Sequence, residues 1–374
     1  MKTKPIGLYV HIPFCIKKCN YCDFCSYSNV DAPTRRAYIN ALVKEIKRYR
    51  REEKIEIDTI FFGGGTPSLL EPCEVETICD AIGDTFSVRE DCEFTIEANP
   101  RTVTEEKLLA YISHGVNRVS IGLQTIHENE RKILGRIHNF EDFLEAYSLV
   151  RKCGISNLGV DVMYGIPSQS VNSFRETLKA VVALSPNHIS AYGLILEEGT
   201  PLWQMRDSIS FPTEDEECEM YELACNFLAS CGYNHYEISN YAKAGYESRH
   251  NLKYWENKSY IGVGAAAYSC YGGKRYGNFA GIDEYLSENP TQYITEELHD
   301  SEASAYEFIM LGLRLKRGIS ISEYKSLFLS DFLTGREEKI KSFISGGYMT
   351  FDGDRIALTE KGFYVSNTIL TDLL

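Results

Sequence analysis

Three cysteines, Cys15, Cys19 and Cys22, stand at C-x3-C-x2-C spacing directly after a short apolar run, Tyr9-Val10-His11-Ile12-Pro13-Phe14. Such close spacing lets one loop present three thiolates to a single inorganic centre. A structural zinc site takes four closed ligands, often as two separated C-x2-C pairs. An iron–sulfur cube is also usually held by four cysteines, so three would leave one iron free to bind something else. Cys25 offers a further sulfur one C-x2-C step on, either as a ligand that closes the centre or as a bystander.

The elements that must position this loop repeat along the chain. Six apolar, β-branched or aromatic runs (Gly7–Ile12, Asp58–Phe62, Glu93–Glu97, Asn117–Gly122, Asn157–Tyr164 and His188–Ile195) alternate with amphipathic stretches such as Thr34–Glu52, Pro72–Thr85 and Phe140–Cys153. Strand–helix alternation predicts a parallel sheet with helices outside, whose functional groups gather at the carboxyl ends of the strands. The second run enters Gly63-Gly64-Gly65-Thr66-Pro67, more glycine than a turn requires and suited to close approach of backbone to a ligand. Glu97 ends the third run and Gln124 follows the fourth, with Arg136 twelve residues further on. Asp161 lies inside the apolar fifth run, where a carboxylate is costly unless paired.

The 374 residues allow a large core plus a smaller appended domain. A formal charge of −14 argues against nucleic acid as a partner. No apolar run reaches the length of a membrane span and the N-terminus shows no signal-peptide pattern, so any membrane association is expected through partners only. The twelve cysteines, scattered without an export signal, point to a reducing cytoplasm. Those outside the opening loop read as small buried hydrophobes.

Taken together, Tyr9–Cys15, Gly63–Pro67, Glu97, Gly122-Leu123-Gln124 and Asp161 resemble the radical S-adenosylmethionine (SAM) superfamily, and within it the oxygen-independent coproporphyrinogen III oxidase-like family. The resemblance implies a partial (β/α)6 barrel and a [4Fe–4S] cluster on Cys15, Cys19 and Cys22, with SAM chelating the open iron. One electron then cleaves the sulfonium to a 5′-deoxyadenosyl radical. An electron donor such as flavodoxin or ferredoxin is implied with it. Matched residue by residue, Tyr9, Gly64, Gly65, Thr66, Glu97, Gln124, Arg136 and Asp161 contact SAM, and Tyr21 adds a contact beside the cluster. Cys25 is then expected to be a bystander. A side chain at Gly65 is expected to block SAM while the cluster still assembles.

Within that family, the decarboxylating oxidases resemble one another in a long extension before the cysteines and a further cysteine two residues after the third. Here fourteen residues precede Cys15, and Phe24 holds the further position. Downstream, His250-Asn251-Leu252-Lys253-Tyr254-Trp255 resembles the H-N-x-x-Y-W string of the HemW-type haem chaperone branch. Read alone, the string also fits a packed aromatic loop in which His250 only hydrogen-bonds; the likeness implies haem as a third cofactor, with His250 as iron ligand and Tyr254 and Trp255 lining the porphyrin. It also implies delivery of haem to respiratory or other haem proteins. The alternatives are a coproporphyrinogen III dehydrogenase or another radical SAM enzyme acting on a tetrapyrrole. The expected domains are a barrel core over 1–232, a connecting segment over 233–300 that lines the barrel's open side, and a helical, winged-helix-like domain over 301–374. The last carries about as many acids as bases, unlike a DNA reader.

Overall fold

The computed structural model describes residues 4–287, 294–297 and 301–374. Six parallel strands form the expected series: β1 (Ile6–Ile12), β2 (Glu56–Gly64), β3 (Ser87–Ala98), β4 (Arg118–Gln124), β5 (Asn157–Tyr164) and β6 (His188–Gly193), hydrogen-bonded in sequence order. Helices α1 (Ala32–Arg48), α2 (Pro72–Thr85), α3 (Glu105–Ser113), α4 (Glu128–Ile133), α5 (Phe140–Lys152) and α6 (Val171–Ala183) follow their strands, α4 and α5 both after β4. Asp31 caps α1 through Thr34, and Asn139 with Asp142 forms a capping box on α5. Helix α7 (Glu214–Ser230) covers the last strand.

Alternation along the strands sorts the side chains. Leu8, Val10 and Ile12 of β1 are fully buried in the same core as Leu42 and Ile46 of α1. Burial of each contributes about 1.5–3 kcal/mol. The opposite face is polar or aromatic: Tyr9 and His11 on β1, Thr59 and Phe61 on β2, Thr95 and Glu97 on β3. Arg118, Ser120, Gly122 and Gln124 on β4, Asp161 on β5, and His188, Ser190 and Tyr192 on β6 continue it. The registers Thr95↔Arg118, Glu97↔Ser120, Gly122↔Asp161 and Asp161↔Ser190 align them around one lumen.

The segment expected to connect two domains instead extends this sheet on both edges. Strands β7 (Asn234–Glu237) and β8 (Asn240–Ala242) add antiparallel beyond β6. Strand β9 (Tyr260–Val263) pairs parallel with β1, followed by β10 (Tyr268–Tyr271), β11 (Lys274–Gly277) and β12 (Ile294–Glu297). Between the two edges runs α8 (Arg249–Trp255), and after β11 comes α9 (Ile282–Ser287). The expected boundary at residue 300 falls outside the described residues.

The C-terminal region comprises α10 (Ser301–Gly312), α11 (Ile321–Phe328), α12 (Glu337–Ser345), α13 (Glu360–Tyr364) and α14 (Ser366–Leu373). These pack with a three-stranded sheet of β13 (Ile319–Ser320), β14 (Met349–Phe351) and β15 (Arg355–Leu358). It grips the barrel through backbone bonds from Ile238 N to Arg314 O at 3.0 Å and from Lys316 N to Tyr236 O at 3.0 Å. Ion pairs Arg275–Glu307 and Arg317–Glu256 reinforce the contact.

Candidate functional site

The cysteine loop leaves β1 at the carboxyl end of the sheet and is pinned from three sides. Gly65 N donates to Ile12 O at 2.9 Å and Thr66 N to Phe14 O at 2.8 Å; Asn20 N donates to Leu134 O at 2.9 Å, beyond α4. Leu202 N donates to Asn20 O at 2.9 Å from the far side. Cys15, Cys19 and Cys22 are free, half-buried thiols on this loop. Burial pushes the Cys15 and Cys22 thiols up, while hydrogen bonds from neighbouring hydroxyls draw them back.

A polar chain runs around these thiols. The Thr66 hydroxyl lies 3.6 Å from Cys15 Sγ, and Asn99 Nδ2 donates to Thr66 Oγ1 at 2.9 Å. Arg136 Nη2 donates to Asn99 Oδ1 at 2.9 Å and to Gly122 O at 2.6 Å, and its Nη1 lies 3.9 Å from Cys19 Sγ. Cys25 belongs elsewhere: its thiol points to Ala280 O at 2.7 Å, and its carbonyl meets His11 Nε2 at 2.8 Å. Among the described residues, no three His, Cys, Asp or Glu side chains converge on one point as a single metal ion requires. Three thiols on one loop suit separate corners of a polynuclear cluster. The buried Ser26 hydroxyl faces Cys15 and Cys22 without another partner, and the buried Gln124 Oε1 is also unpartnered. These orphaned atoms, the cationic Arg136 and the donor set fit a cluster with a polar ligand beside it.

Below this mouth, the lumen holds the other expected SAM contacts. Gln124 itself is held at φ +72, a strained conformation for a residue other than glycine. Gly64 N donates to Glu97 Oε2 at 3.2 Å, and Ser120 Oγ to Asp161 Oδ1 at 3.1 Å. Burial, then the nearby Asp161 charge, pushes Glu97 up to about 7. Burial raises Asp161 too, opposed by Ser190 and Ser120. Tyr9 bonds His11 Nδ1 at 3.0 Å through its hydroxyl. Tyr21 is packed against Leu134, Met163 and Ile166 beside Arg136; burial raises its phenol and the guanidinium charge opposes this.

Two expectations meet specific contacts in the fold. A Cβ on Gly65 would meet Phe14 O at 2.7 Å and Pro13 C at 2.9 Å, so its glycine serves the approach of this turn to the cysteine loop itself. A side chain there would displace that loop, and the cluster would not be spared. Gly64, at φ +111, would press a Cβ into the His11 ring.

The second concerns the H-N-x-x-Y-W string, which forms α8 at the opposite end of the lumen. His250 is fully buried, with Nδ1 2.9 Å from Thr59 Oγ1 and Nε2 2.8 Å from Tyr254 OH. Its backbone N and that of Arg249 donate to the Glu93 carboxylate at 3.1 and 3.2 Å, an acid at a helix N-terminus. Phe61 stacks on the ring at 5.3 Å, and burial drives its pKa down to about 3. Tyr254 packs edge-on against Tyr260 at 4.6 Å, and the Arg314 guanidinium lies 5.4 Å from the Trp255 ring. The string is thus a floor to the barrel, packed against Gly7 at the end of β1 remote from the cysteine loop, with the His250 ring 6.5 Å from the Tyr9 ring. With both ring nitrogens committed, His250 presents no open donor to iron. Asn99, Ser26, Thr59 and Glu93 were missed by sequence reasoning. Only Asn99, two residues past Glu97 at a strand end, carried a positional signal.

Comparison with known proteins shows the family and the fold. The model of the radical SAM superfamily matches residues 9–181, and that of the HemN C-terminal domain matches residues 300–365. The chain is 34% identical to the heme chaperone HemW of Lactococcus lactis, over 100% of this chain and 98% of the relative. It is 32% identical to the heme chaperone HemW of Escherichia coli, over 99% and 98%. The solved coproporphyrinogen III oxidase HemN of Escherichia coli superposes with a TM-score of 0.84, covering 99% of this chain and 90% of that one. Its 21% sequence identity makes this a likeness of fold.

Proposed function

From the premise that this chain belongs to the radical SAM superfamily, in the HemW branch of its coproporphyrinogen oxidase-like family, we propose that it is a haem chaperone. The full-length identity to proteins named as heme chaperones carries this reading. Cys15, Cys19 and Cys22 would hold a [4Fe–4S] cluster. Gly64, Gly65, Thr66, Glu97, Gln124, Arg136 and Asp161 would hold SAM, with Tyr9 and Tyr21 beside it. When bound, this pair supplies one-electron cleavage of a sulfonium.

The chain's own residues have definable tasks. Thr66 and Ser26 offer hydroxyls to sulfur, which favours the thiolate over the thiol. Arg136 stays cationic at the mouth, where it can meet a carboxylate. Asp161 and Glu97 face polar or cationic groups of a ligand from below. The chaperone would work in the cytoplasm, take electrons from a flavodoxin or ferredoxin, and pass haem to acceptor haem proteins, respiratory ones included. No helix among the described residues is long and apolar enough to cross a membrane.

The test is anaerobic reconstitution, followed by haem titration and transfer to a haem-free acceptor. A stoichiometric haem complex that restores the acceptor supports the reading. Release of carbon dioxide from coproporphyrinogen III with SAM and reductant would replace it with the dehydrogenase.

A further inference from the structure

The direction of the hydrogen bonds on β1 follows from which atoms can donate. The Cys25 carbonyl oxygen only accepts, so the His11 Nε2 that lies 2.8 Å from it carries the ring hydrogen. In a neutral imidazole the other nitrogen is then an acceptor. Tyr9, whose hydroxyl lies 3.0 Å from His11 Nδ1, must donate to it. Burial keeps both groups in the required forms. It lowers the His11 imidazole, against the bond to Cys25 O, and together with the Glu97 charge it raises the Tyr9 phenol. The sense of each bond is thus fixed from the Cys25 carbonyl through His11 to Tyr9. With its one hydrogen committed, the Tyr9 oxygen has only lone pairs left to offer.

The fold holds this relay from several sides. Tyr38 OH donates to His11 O at 2.9 Å. Gly64, at φ +111, clears the space that the imidazole fills; a Cβ there would lie 2.5 Å from its Cε1. Phe61 stacks on the Tyr9 ring at 6.2 Å, and the His250 ring lies 6.5 Å away on the floor side. Tyr9 itself is partly exposed in a strand whose other residues are all buried, so its free side gives onto the lumen. Glu97, which accepts from Gly64 N, acts electrostatically on the Tyr9 phenol and adds a second acceptor there.

We propose that His11 is a positioning residue for SAM: by taking the Tyr9 hydrogen it makes the Tyr9 oxygen an obligate acceptor, which meets the ammonium group of the ligand. This rests on the SAM-site reading above and adds to it a residue that acts through Tyr9. A carboxylate placed at Tyr9 would set lone pair against lone pair, whereas Arg136 at the mouth supplies only donors, so the two ends of the amino-acid moiety are told apart. Cys25 takes part through its backbone alone. Its carbonyl sets the tautomer, and its thiol is not needed for the relay.

Anaerobic calorimetry of SAM binding to the full-length, reconstituted protein tests this, with iron content measured alongside. Tyr9→Phe should weaken SAM about tenfold, the scale of a lost hydrogen bond to a charged group. His11→Leu should weaken it by a similar factor. His11→Gln, whose amide offers a donor to Cys25 O and an acceptor to Tyr9, should stay within about threefold of the parent. The double variant Tyr9→Phe/His11→Leu should bind no more weakly than Tyr9→Phe, because His11 acts through the hydroxyl already removed. For a SAM analogue without the amino group, Tyr9→Phe and His11→Leu should match the parent. Losses that add in the double variant would overturn the proposal and leave His11 a support of the cysteine loop only. An equal loss for the deaminated analogue, or His11→Gln as weak as His11→Leu, would overturn it as well. Should His11→Leu fail to take up iron, Tyr9→Phe and His11→Gln decide alone, and unchanged SAM affinity in Tyr9→Phe overturns it. A parent that takes up iron yet binds no SAM would instead overturn the SAM-site reading, and the proposal with it.

Discussion

The imidazole of His250 meets the hydroxyl of Thr59 at 2.9 Å across 191 residues of sequence, so the string that most suggests haem is bolted to the second strand of the barrel. Removing that ring should cost stability first. His250→Ala empties a buried site and leaves the Thr59 and Tyr254 hydroxyls without their partner, a loss of about 2–4 kcal/mol. Urea unfolding should show it; a loss below about 1 kcal/mol would mean that the floor is not built as described.

Cysteine substitutions should divide according to where the thiols point. Cys19→Ala should abolish the ~400 nm absorption of a Cys-held cube and lower the iron content. Cys25→Ala, whose thiol turns to Ala280, should leave both nearly unchanged. Loss of iron from Cys25→Ala would return that residue to the ligand set.

Gly65→Val should fail differently from a simple block of SAM. The added carbons meet the Pro13–Phe14 backbone at under 3 Å, so the cysteine loop must move. Iron incorporation and SAM binding should both fall, by iron analysis and anaerobic calorimetry. Full iron content with weak SAM binding would show that the turn yields instead.

The buried Glu97 makes stability depend on pH. Its pKa rises from 4.5 in the unfolded chain to about 7 in the fold, so the folded state binds a proton more tightly. The associated stability is fully present below about 4.5, is lost as pH rises toward about 7, and is absent above. The span corresponds to about 3 kcal/mol. Glu97→Gln should flatten this part of the pH–stability curve in urea titrations of cluster-free protein. An unchanged slope would assign it to another group.

Much of the barrel was legible because its strands alternate strictly and its helices carry clear caps. Leu8, Val10 and Ile12 announce one buried face, and Asp161 stands out against its apolar strand. The edge strands were not legible. Asn240–Ala242 and Tyr260–Val263 are too short for periodicity to register, and the second is fixed by a partner, Gly7, that lies 253 residues from Tyr260. The cysteines were read from spacing alone, yet the direction of Cys25 depends on a carbonyl 255 residues away. The surroundings of His250 were not legible for a related reason. A motif describes its own residues, whereas Thr59, Glu93 and Phe61, which enclose the ring, come from other strands.

Strand β1 lies inside the sheet, and its Gly7 pairs with Tyr260 on one side. A ribosome adding roughly 5–20 residues per second exposes the cysteine loop for roughly 10–50 s before that neighbour emerges. During this interval the thiols ride on a sheet that lacks one edge, within reach of iron–sulfur donors and of oxidants alike. Slowing translation between the two segments therefore lengthens the interval in which the cysteine loop stands exposed without that neighbour.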